Sequence, residues 1–286
     1  MKPSLRQRIE QALGESIRDM RPLSGSHGLS LDVVELADGR KLVAKHGRGP
    51  RPEHLRIEER MLQRLAGEIP VPHVHMCADD LLVMDYIPGS GSLGASGERH
   101  MARLLAAMHG RPRDHFGLDF DTTIGPLPQP NRRCESWVEF FRDNRLMFMA
   151  RLAHERAGLS ASLLARIERF CAHLDEFITE PAHPALLHGD IWGGNVIAAH
   201  GKVAAFIDPA IYHGHYEYDL AFMTMFGTAG AAFFDAYAEL TDDFDRQGFF
   251  DVRRDAYLIY PHLTHVLICG ISYAAGIDSR LARLGY

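Results

Sequence analysis

The sequence predicts an α+β fold with a small, mostly antiparallel-β lobe at the N-terminus and a larger, mainly helical lobe at the C-terminus. Three observations support this fold class. Residues 1–88 contain short apolar runs with strand and hairpin signals. In residues 98–286 most apolar side chains recur at helical spacing. Between them, residues 89–97 have the Gly- and Ser-rich composition of an inter-lobe linker, so we expect a lobe boundary there.

The N-terminal lobe is predicted from a hairpin, a helix and a further strand. Residues 31–36 and 41–45 are apolar-rich runs joined by a segment that contains Asp38-Gly39, and Asp-Gly between two such runs indicates a β-hairpin. Apolar residues at helical spacing predict a helix over residues 57–65. The apolar run 81–84 has the length of a buried strand. Together these elements predict an antiparallel sheet with one packed helix.

In the C-terminal lobe, the helical patterns are longer than the strand patterns. Residues 101–108 and 163–174 each carry apolar side chains at helical spacing. Strand signals are limited to residues 203–207 and the short run 186–187. A mainly helical lobe is therefore expected.

Composition and charge exclude some classes of partner. With 46% hydrophobic and 24% charged residues, the chain can bury a sizeable core. A net charge of −6 argues against a nucleic-acid partner, which requires a basic surface. The four cysteines form no C-x-x-C pair, which favours free thiols in a reducing cytoplasm over disulfides or a zinc knuckle.

Residues 257–277 are mostly apolar and long enough to resemble a membrane span. They contain Pro261, His262 and His265, however, and such polar side chains are costly in hydrocarbon. Residues 1–8 also lack the apolar core of a signal peptide. We therefore expect a buried C-terminal helix, no membrane partner and a cytoplasmic location.

The residues that carry chemistry concentrate in the segment 188–196 and at Asp208, which follows the predicted strand 203–207. Asp190 and Asn195 have the D-x-x-x-x-N spacing of a kinase catalytic loop. Phosphoryl transfer requires a carboxylate that orients the attacking hydroxyl, and metal ions held by oxygen ligands. We therefore predict Asp190 as the catalytic base, Asn195 and Asp208 as ligands of Mg²⁺, and ATP as the phosphoryl donor.

A lysine on a strand of the β lobe, held by a glutamate from a helix, would complete this arrangement. Lys45 is the predicted lysine and Glu58 the favoured partner, with Glu59 as an alternative. The other predicted nucleotide contacts are Ser26, His27 and Gly28 in a phosphate-covering loop over residues 24–28, and Met84, Asp85, Tyr86 and Ile87 in a hinge over residues 82–87 beside the adenine. These positions make residues 1–88 a predicted nucleotide-binding lobe.

Three long segments carry a more specific resemblance: residues 123–131 (TIGPLPQPN), residues 188–195 (HGDIWGGN) and residues 208–221 (DPAIYHGHYEYDLA). In these segments the chain resembles the fructosamine (ketosamine) kinase family. The resemblance implies a bilobal protein-kinase-like fold, which aminoglycoside phosphotransferases and choline kinases share. It also implies ATP-dependent phosphorylation of the 3-hydroxyl of ketosamines, whose unstable product releases the amine, so that the activity is deglycation.

Two alternatives to this function remain. One is a kinase of the same fold that acts on aminoglycosides or other hydroxyl compounds, and the other is a catalytically idle nucleotide-binding protein. The intact set formed by Lys45, Glu58, Asp190, Asn195 and Asp208 argues against an idle protein.

Two further side chains have a structural and a functional interpretation. Trp192 either stacks on the sugar of the substrate or anchors the core. Asp219 is predicted to brace the catalytic loop by accepting hydrogen bonds, rather than to react.

Two local patterns suggest other chemistry. His213-Gly214-His215 with Glu217 resembles a zinc-binding cluster, which is easily fortuitous among 17 histidines. Residues 89–94 match the dinucleotide fingerprint G-x-G-x-x-G. We expect a linker instead, because Ser96-Gly97 should interrupt the helix that the fingerprint requires.

Overall fold

The computed structural model describes residues 3–26, 28–49 and 53–286. Its N-terminal part is a five-stranded antiparallel sheet in the order β1-β2-β3-β5-β4. The strands are β1 (Ile17–Ser26), β2 (Leu29–Leu36), β3 (Lys41–Gly47), β4 (Val74–Ala78) and β5 (Leu81–Asp85). Two helices accompany the sheet, α1 (Leu5–Leu13) and α2 (His54–Leu65). The predicted hairpin, helix and strand are therefore confirmed.

The sequence patterns did not predict α1, β1 or β4. In β1, register shifts between Ile17 and Asp19 and between Pro22 and Ser24 interrupt the strand alternation. β1 is also an edge strand, a position at which proline is tolerated more readily than in a central strand. Irregular edge strands of this kind leave little periodic signal in a sequence.

Helix α2 connects the sheet to the rest of the molecule. Leu55 and Leu62 pack with the sheet residues of one hydrophobic cluster. Ile57, Met61 and Leu65 recur every fourth residue and belong instead to the large core of the C-terminal part. The helix therefore shares one face with each part of the protein.

The C-terminal part is mainly helical, which confirms the predicted α+β fold class. Its helices are α3 (Gly94–His109), α4 (Trp137–Phe141), α5 (Phe148–Ala157), α6 (Ala161–Cys171), α7 (Glu217–Met225), α8 (Ala231–Leu240), α9 (Arg246–Gly248), α10 (Arg254–Cys269) and α11 (Ala274–Arg283). Segments of π-helix (Arg142–Met147 and Phe249–Arg253) and 3₁₀-helix (Leu174–Glu176 and Ile271–Tyr273) adjoin them.

Six short strands form three antiparallel pairs around the helices. The pairs are β6 (Thr122–Ile124) with β7 (Leu127–Gln129), β8 (Ala185–Leu187) with β11 (Tyr212–Gly214), and β9 (Val196–Ala199) with β10 (Lys202–Phe206). β8 and β10 correspond to the two predicted strands.

The predicted linker is shorter than expected, because α3 already begins at Gly94. The argument that Ser96-Gly97 interrupts this helix was wrong, since both residues lie within α3. Glycine suits position 97 of this helix, because the Cβ atom of any other residue would lie 2.8 Å from Leu93 Cδ2. The dinucleotide alternative fails for another reason: the five-stranded sheet is antiparallel, whereas that motif belongs to parallel βαβ units.

The apolar stretch 257–277 divides into two helices. Gly270, with φ of +109°, ends α10, and α11 starts a few residues later. Tyr257, Tyr260 and Leu263 of α10 are fully buried in the core. Within the described ranges, none of the helices has both the length and the apolar character that crossing a membrane would require.

Candidate active site

A cleft of about 600 Å³ lies between the sheet with α2 and the C-terminal part. Its lining includes six of the residues predicted from sequence: Lys45, Glu58, Asp190, Trp192, Asn195 and Asp208. These side chains come from β3, α2, the loop between β8 and β9, and the end of β10. The structure therefore brings together groups that are far apart in the sequence.

Lys45 joins the two sides of the cleft. Its Nζ donates to both carboxylate oxygens of Glu58, at 2.9 and 2.8 Å, and to Oδ1 of Asp208 at 2.9 Å. The partner of Lys45 is thus Glu58 and not the neighbouring Glu59. Although burial opposes the charged form, the two carboxylates raise the pKa of Lys45, so the ammonium stays protonated.

The loop that contains Asp190 is braced by Asp219 of α7, as the sequence predicts. The amides of His188 and Gly189 donate to the two carboxylate oxygens of Asp219, at 2.8 and 2.9 Å. Gly189 has φ of +82°, and a Cβ atom there would lie 2.1 Å from the carbonyl oxygen of Ala210. This position therefore requires glycine.

Asn195 fixes the side chain of Asp190. Its Nδ2 donates to the Asp190 backbone oxygen and to Asp190 Oδ2, both at 2.9 Å. Burial raises the pKa of Asp190 to about 7, and the charge of Asp208 adds to this shift, while the hydrogen bond from Asn195 opposes it. A carboxylate with such a pKa is a better proton acceptor than an ordinary aspartate.

Asp208 holds an uncommon backbone conformation at the end of β10. Its φ is +48°, in the left-handed region that few residues other than glycine adopt. The charge of Lys45 lowers the pKa of Asp208 and keeps it ionised. Strained backbone of this kind is often found at functional sites.

The residues around Asp208 fit Mg²⁺ in their donor chemistry. Asn195 and Asp208 offer hard amide and carboxylate oxygens in the same cleft. In residues 3–26, 28–49 and 53–286, the cleft included, no cluster of three or more His, Cys, Asp or Glu side chains is arranged to hold a metal. A sparse set of protein ligands suits Mg²⁺, which usually completes its coordination with water and substrate phosphates.

The predicted phosphate-covering loop lies partly at the edge of the cleft. Ser24 and Gly25, the first two residues of the predicted phosphate-covering loop, line the cleft. Ser26 ends β1, and Gly28 has φ of +80° in the turn to β2. His27 lies outside the described residues.

The four predicted hinge residues do not line the cleft. Met84 and Asp85 end β5, and Tyr86 and Ile87 follow it. The amides of Asp85 and Tyr86 already donate to the carbonyl oxygens of His73 and Lys41. These two amides are therefore engaged within the N-terminal part, and a contact of this segment with adenine stays a prediction.

Trp192 lies at the surface of the cleft and is not a core anchor, since 41% of its surface is exposed. A Cβ atom at Gly194 would lie 2.3 Å from its ring, so glycine there leaves room for the indole. The ring contacts Phe226, with 5.9 Å between centroids.

The family-like segment 123–131 forms the β6–β7 hairpin and supports the chain that follows Asp208. Gln129 Nε2 donates to the carbonyl oxygen of Ala210 at 2.9 Å, and Tyr260 donates to Gln129 Oε1. The guanidinium of the fully buried Arg145 donates to Asn131 Oδ1 at 2.6 Å. This buried polar network gives the segment a structural role, while its tip, including Thr123 and Gly125, lines the cleft.

The side chains of the suggested zinc cluster have other partners. His213 Nδ1 pairs with the carbonyl oxygen of His115, and His215 Nδ1 accepts from the amide of Glu217. The Glu217 carboxylate is bound by Arg253 at 2.8 Å. The three groups therefore do not converge on one point, and the zinc interpretation was wrong.

Several residues that line the cleft were not predicted as site residues. They include Phe226, Thr264, His265, Cys269 and Tyr273. Thr264 and His265 carried a signal, as polar residues within an otherwise apolar stretch. Phe226 and Tyr273 carried none, because their position depends on how distant helices pack.

Comparison with known proteins agrees with this geometry. The fold is that of the kinase-like phosphotransferases: a macrolide 2′-phosphotransferase of Brachybacterium faecium matches 97% of this chain and 95% of its own, with a TM-score of 0.64. At 17% identity, that likeness shows the fold alone. The sequence profile of the fructosamine kinase family matches residues 1–284. The chain belongs to the fructosamine kinase family.

Individual relatives support the assignment. A candidate fructosamine-3-kinase from Thermobifida fusca has a solved structure that matches with a TM-score of 0.88 and 30% identity, covering 98% of each chain. A probable ketoamine kinase of Synechocystis sp. is 30% identical over 94% of this chain and 92% of its own. The chloroplastic protein-ribulosamine 3-kinase of Arabidopsis thaliana is 33% identical over 75% of this chain. The match spans only 63% of that plant protein and 57% of its rice counterpart.

Proposed function

We propose that the protein is an ATP- and Mg²⁺-dependent kinase that phosphorylates the 3-hydroxyl of ketosamines such as fructosamines, and so acts in deglycation. One observation carries the proposal: in a member of the fructosamine kinase family, Lys45, Glu58, Asp190, Asn195 and Asp208 meet in a single cleft. The names of the relatives support ketosamines as the acceptor class.

In this proposal Asp190 accepts a hydrogen bond from the 3-hydroxyl, orients it towards the terminal phosphoryl group and takes its proton. Asn195 keeps the Asp190 carboxylate in place. Lys45, held by Glu58, exchanges its contact with Asp208 for the nucleotide phosphates. Mg²⁺ held by Asn195 and Asp208 would neutralise phosphate charge during the transfer.

The proposal also assigns a role to each lobe and to the remaining nucleotide and sugar contacts, and it assigns the protein a location in the cell. Residues 1–88 form the nucleotide lobe, residues 89–97 the connection and residues 98–286 the acceptor lobe. Ser26, His27 and Gly28 cover the phosphates, Met84–Ile87 lie near the adenine, and Trp192 faces the sugar. The four free cysteines favour a cytoplasmic location.

An ATP-consumption screen tests the proposal. The purified protein would be offered ketosamines, aminoglycosides, choline and simple sugars, and phosphorus NMR would identify the position of the new phosphate. We expect turnover of ketosamines with phosphate on O3. Efficient phosphorylation of kanamycin or choline without any turnover of ketosamines would instead identify a kinase of another acceptor class.

A further inference from the structure

Four aromatic side chains form a continuous row along the C-terminal side of the cleft, which we call the aromatic row: Trp192, Phe226, His265 and Tyr273. Neighbouring ring centroids lie 5.9, 5.3 and 5.0 Å apart in that order. Trp192 is 41% exposed and Phe226 44% exposed, so these two rings face the cleft rather than the core.

The row begins beside the proposed base and extends away from it. Trp192 is two residues from Asp190 in the same loop. Phe226 follows α7, His265 belongs to α10, and Tyr273 ends the following 3₁₀ turn. A sugar ring covers about one aromatic face. A sugar on Trp192 therefore leaves the later rings for another part of the substrate.

The charges of the cleft are unevenly distributed. Among its described lining residues, Lys45 is the only lysine or arginine, and it is bound to Glu58 and Asp208. The aromatic row contains no charged side chain, because burial lowers the pKa of His265 and leaves its imidazole neutral. A carboxylate on the row would find no free cation, whereas a substrate ammonium would meet ring faces, which attract cations.

We propose that the later rings of the aromatic row, Phe226, His265 and Tyr273, bind the amine half of a ketosamine and select apolar or aromatic amines that carry no carboxylate next to the nitrogen. This inference rests on the proposed ketosamine kinase activity and specifies which members of that substrate class are used. The ketosamine nitrogen lies between the sugar on Trp192 and the later rings of the row, close to the negative charge of Asp190 and Asp208. An α-carboxylate would be repelled by the same charges.

Three ketosamines built from one sugar test the proposal: the adducts of benzylamine, methylamine and glycine. For the wild-type protein we expect kcat/KM to be about tenfold higher for the benzylamine than for the methylamine adduct, since filling an apolar pocket has effects of this size. The glycine adduct should be the poorest substrate. Equal kcat/KM for the benzylamine and methylamine adducts would overturn the proposal.

Substitutions in the aromatic row show which side chains cause the preference for the benzylamine adduct. Phe226→Ala should remove most of the preference for benzylamine, and Phe226→Leu should keep part of it. Leu240→Ala is the matched control, because Leu240 is similarly exposed at 51% but ends α8 and is not among the lining residues. Thermal unfolding would verify that each variant is folded. An equal loss by Phe226→Ala on all three substrates would contradict selection by the row.

A charge substitution tests the exclusion of carboxylates. Tyr273→Arg places a cation on the row and should raise kcat/KM for the glycine adduct relative to the methylamine adduct, by about tenfold. An unchanged or lower ratio would contradict the charge argument. If none of the three adducts were turned over while a different acceptor was, the proposed function itself would be wrong. That outcome differs from turnover of all three adducts without a preference, which would overturn only the proposal about the amine.

Discussion

The two ends of the cleft use different chemistry. At the end that we assign to the phosphates, Lys45, Glu58 and Asp208 are connected by contacts of 2.8–2.9 Å. At the other end, the aromatic row offers ring faces without charge. Phosphoryl transfer depends on accurate positioning, which ion pairs with fixed geometry supply. Apolar faces restrict geometry less and so tolerate variation in the acceptor.

Asp208→Ala should have the largest effect, because it removes the proposed metal ligand and one partner of Lys45 together. We expect activity to be abolished and the Mg²⁺-dependent part of ATP affinity to be lost. Measuring ATP affinity with and without Mg²⁺ checks this. A variant whose ATP affinity still depends on Mg²⁺ as in the wild type would place the metal elsewhere.

Asp190→Asn tests the proposed catalytic base, which lies between the charged end of the cleft and the aromatic row. Without a proton acceptor, kcat should fall by roughly two to four orders of magnitude. ATP binding should persist, because Asp190 acts on the acceptor. Steady-state kinetics and ATP titration measure the two effects, with the exposed Asp278→Asn as control. Near-normal turnover would remove Asp190 from the mechanism.

Glu58→Gln should weaken the hold on Lys45 and lower kcat/KM by about 10², which is typical of a misplaced catalytic group. Glu59→Gln is the matched control, since it alters the next residue of the same helix without touching Lys45. Activity assays of both variants decide between the two glutamates. Similar losses of kcat/KM in both variants would mean that the contact between Lys45 and Glu58 is not the cause of the loss.

Gly189→Ala should act on the support of the catalytic loop. A side chain at φ +82°, in collision with the Ala210 carbonyl, should lower the free energy of unfolding by about 1–3 kcal/mol. In Gly193→Ala the new methyl group meets no atom within 4 Å, so that variant should unfold near the wild-type temperature. Thermal denaturation compares the two. Equal melting temperatures would show that the loop relaxes freely.

The charged end of the cleft was predictable from the sequence, whereas the aromatic row was not. Lys45 follows a strand pattern, and Asp190 and Asn195 have a fixed spacing within one loop, so local sequence places them. Phe226 and Tyr273 reach the cleft only because α7, α10 and the last 3₁₀ turn pack together, and no local pattern encodes that. The hinge segment shows what a local pattern leaves open: its strand is recognisable, but the partners of the Asp85 and Tyr86 amides depend on how the sheet is assembled.

The position of α2 has a consequence for control of the protein. In a kinase that is switched by displacing the helix that carries its glutamate, that helix must leave its packing site. Here, moving α2 away would expose Ile57, Met61 and Leu65, at a cost of roughly 1.5–3 kcal/mol for each side chain. It would also break the contact of Arg64 with Asp119. The packing of α2 on the C-terminal core therefore anchors Glu58 beside Lys45, so that any displacement of this helix would expose apolar core surface.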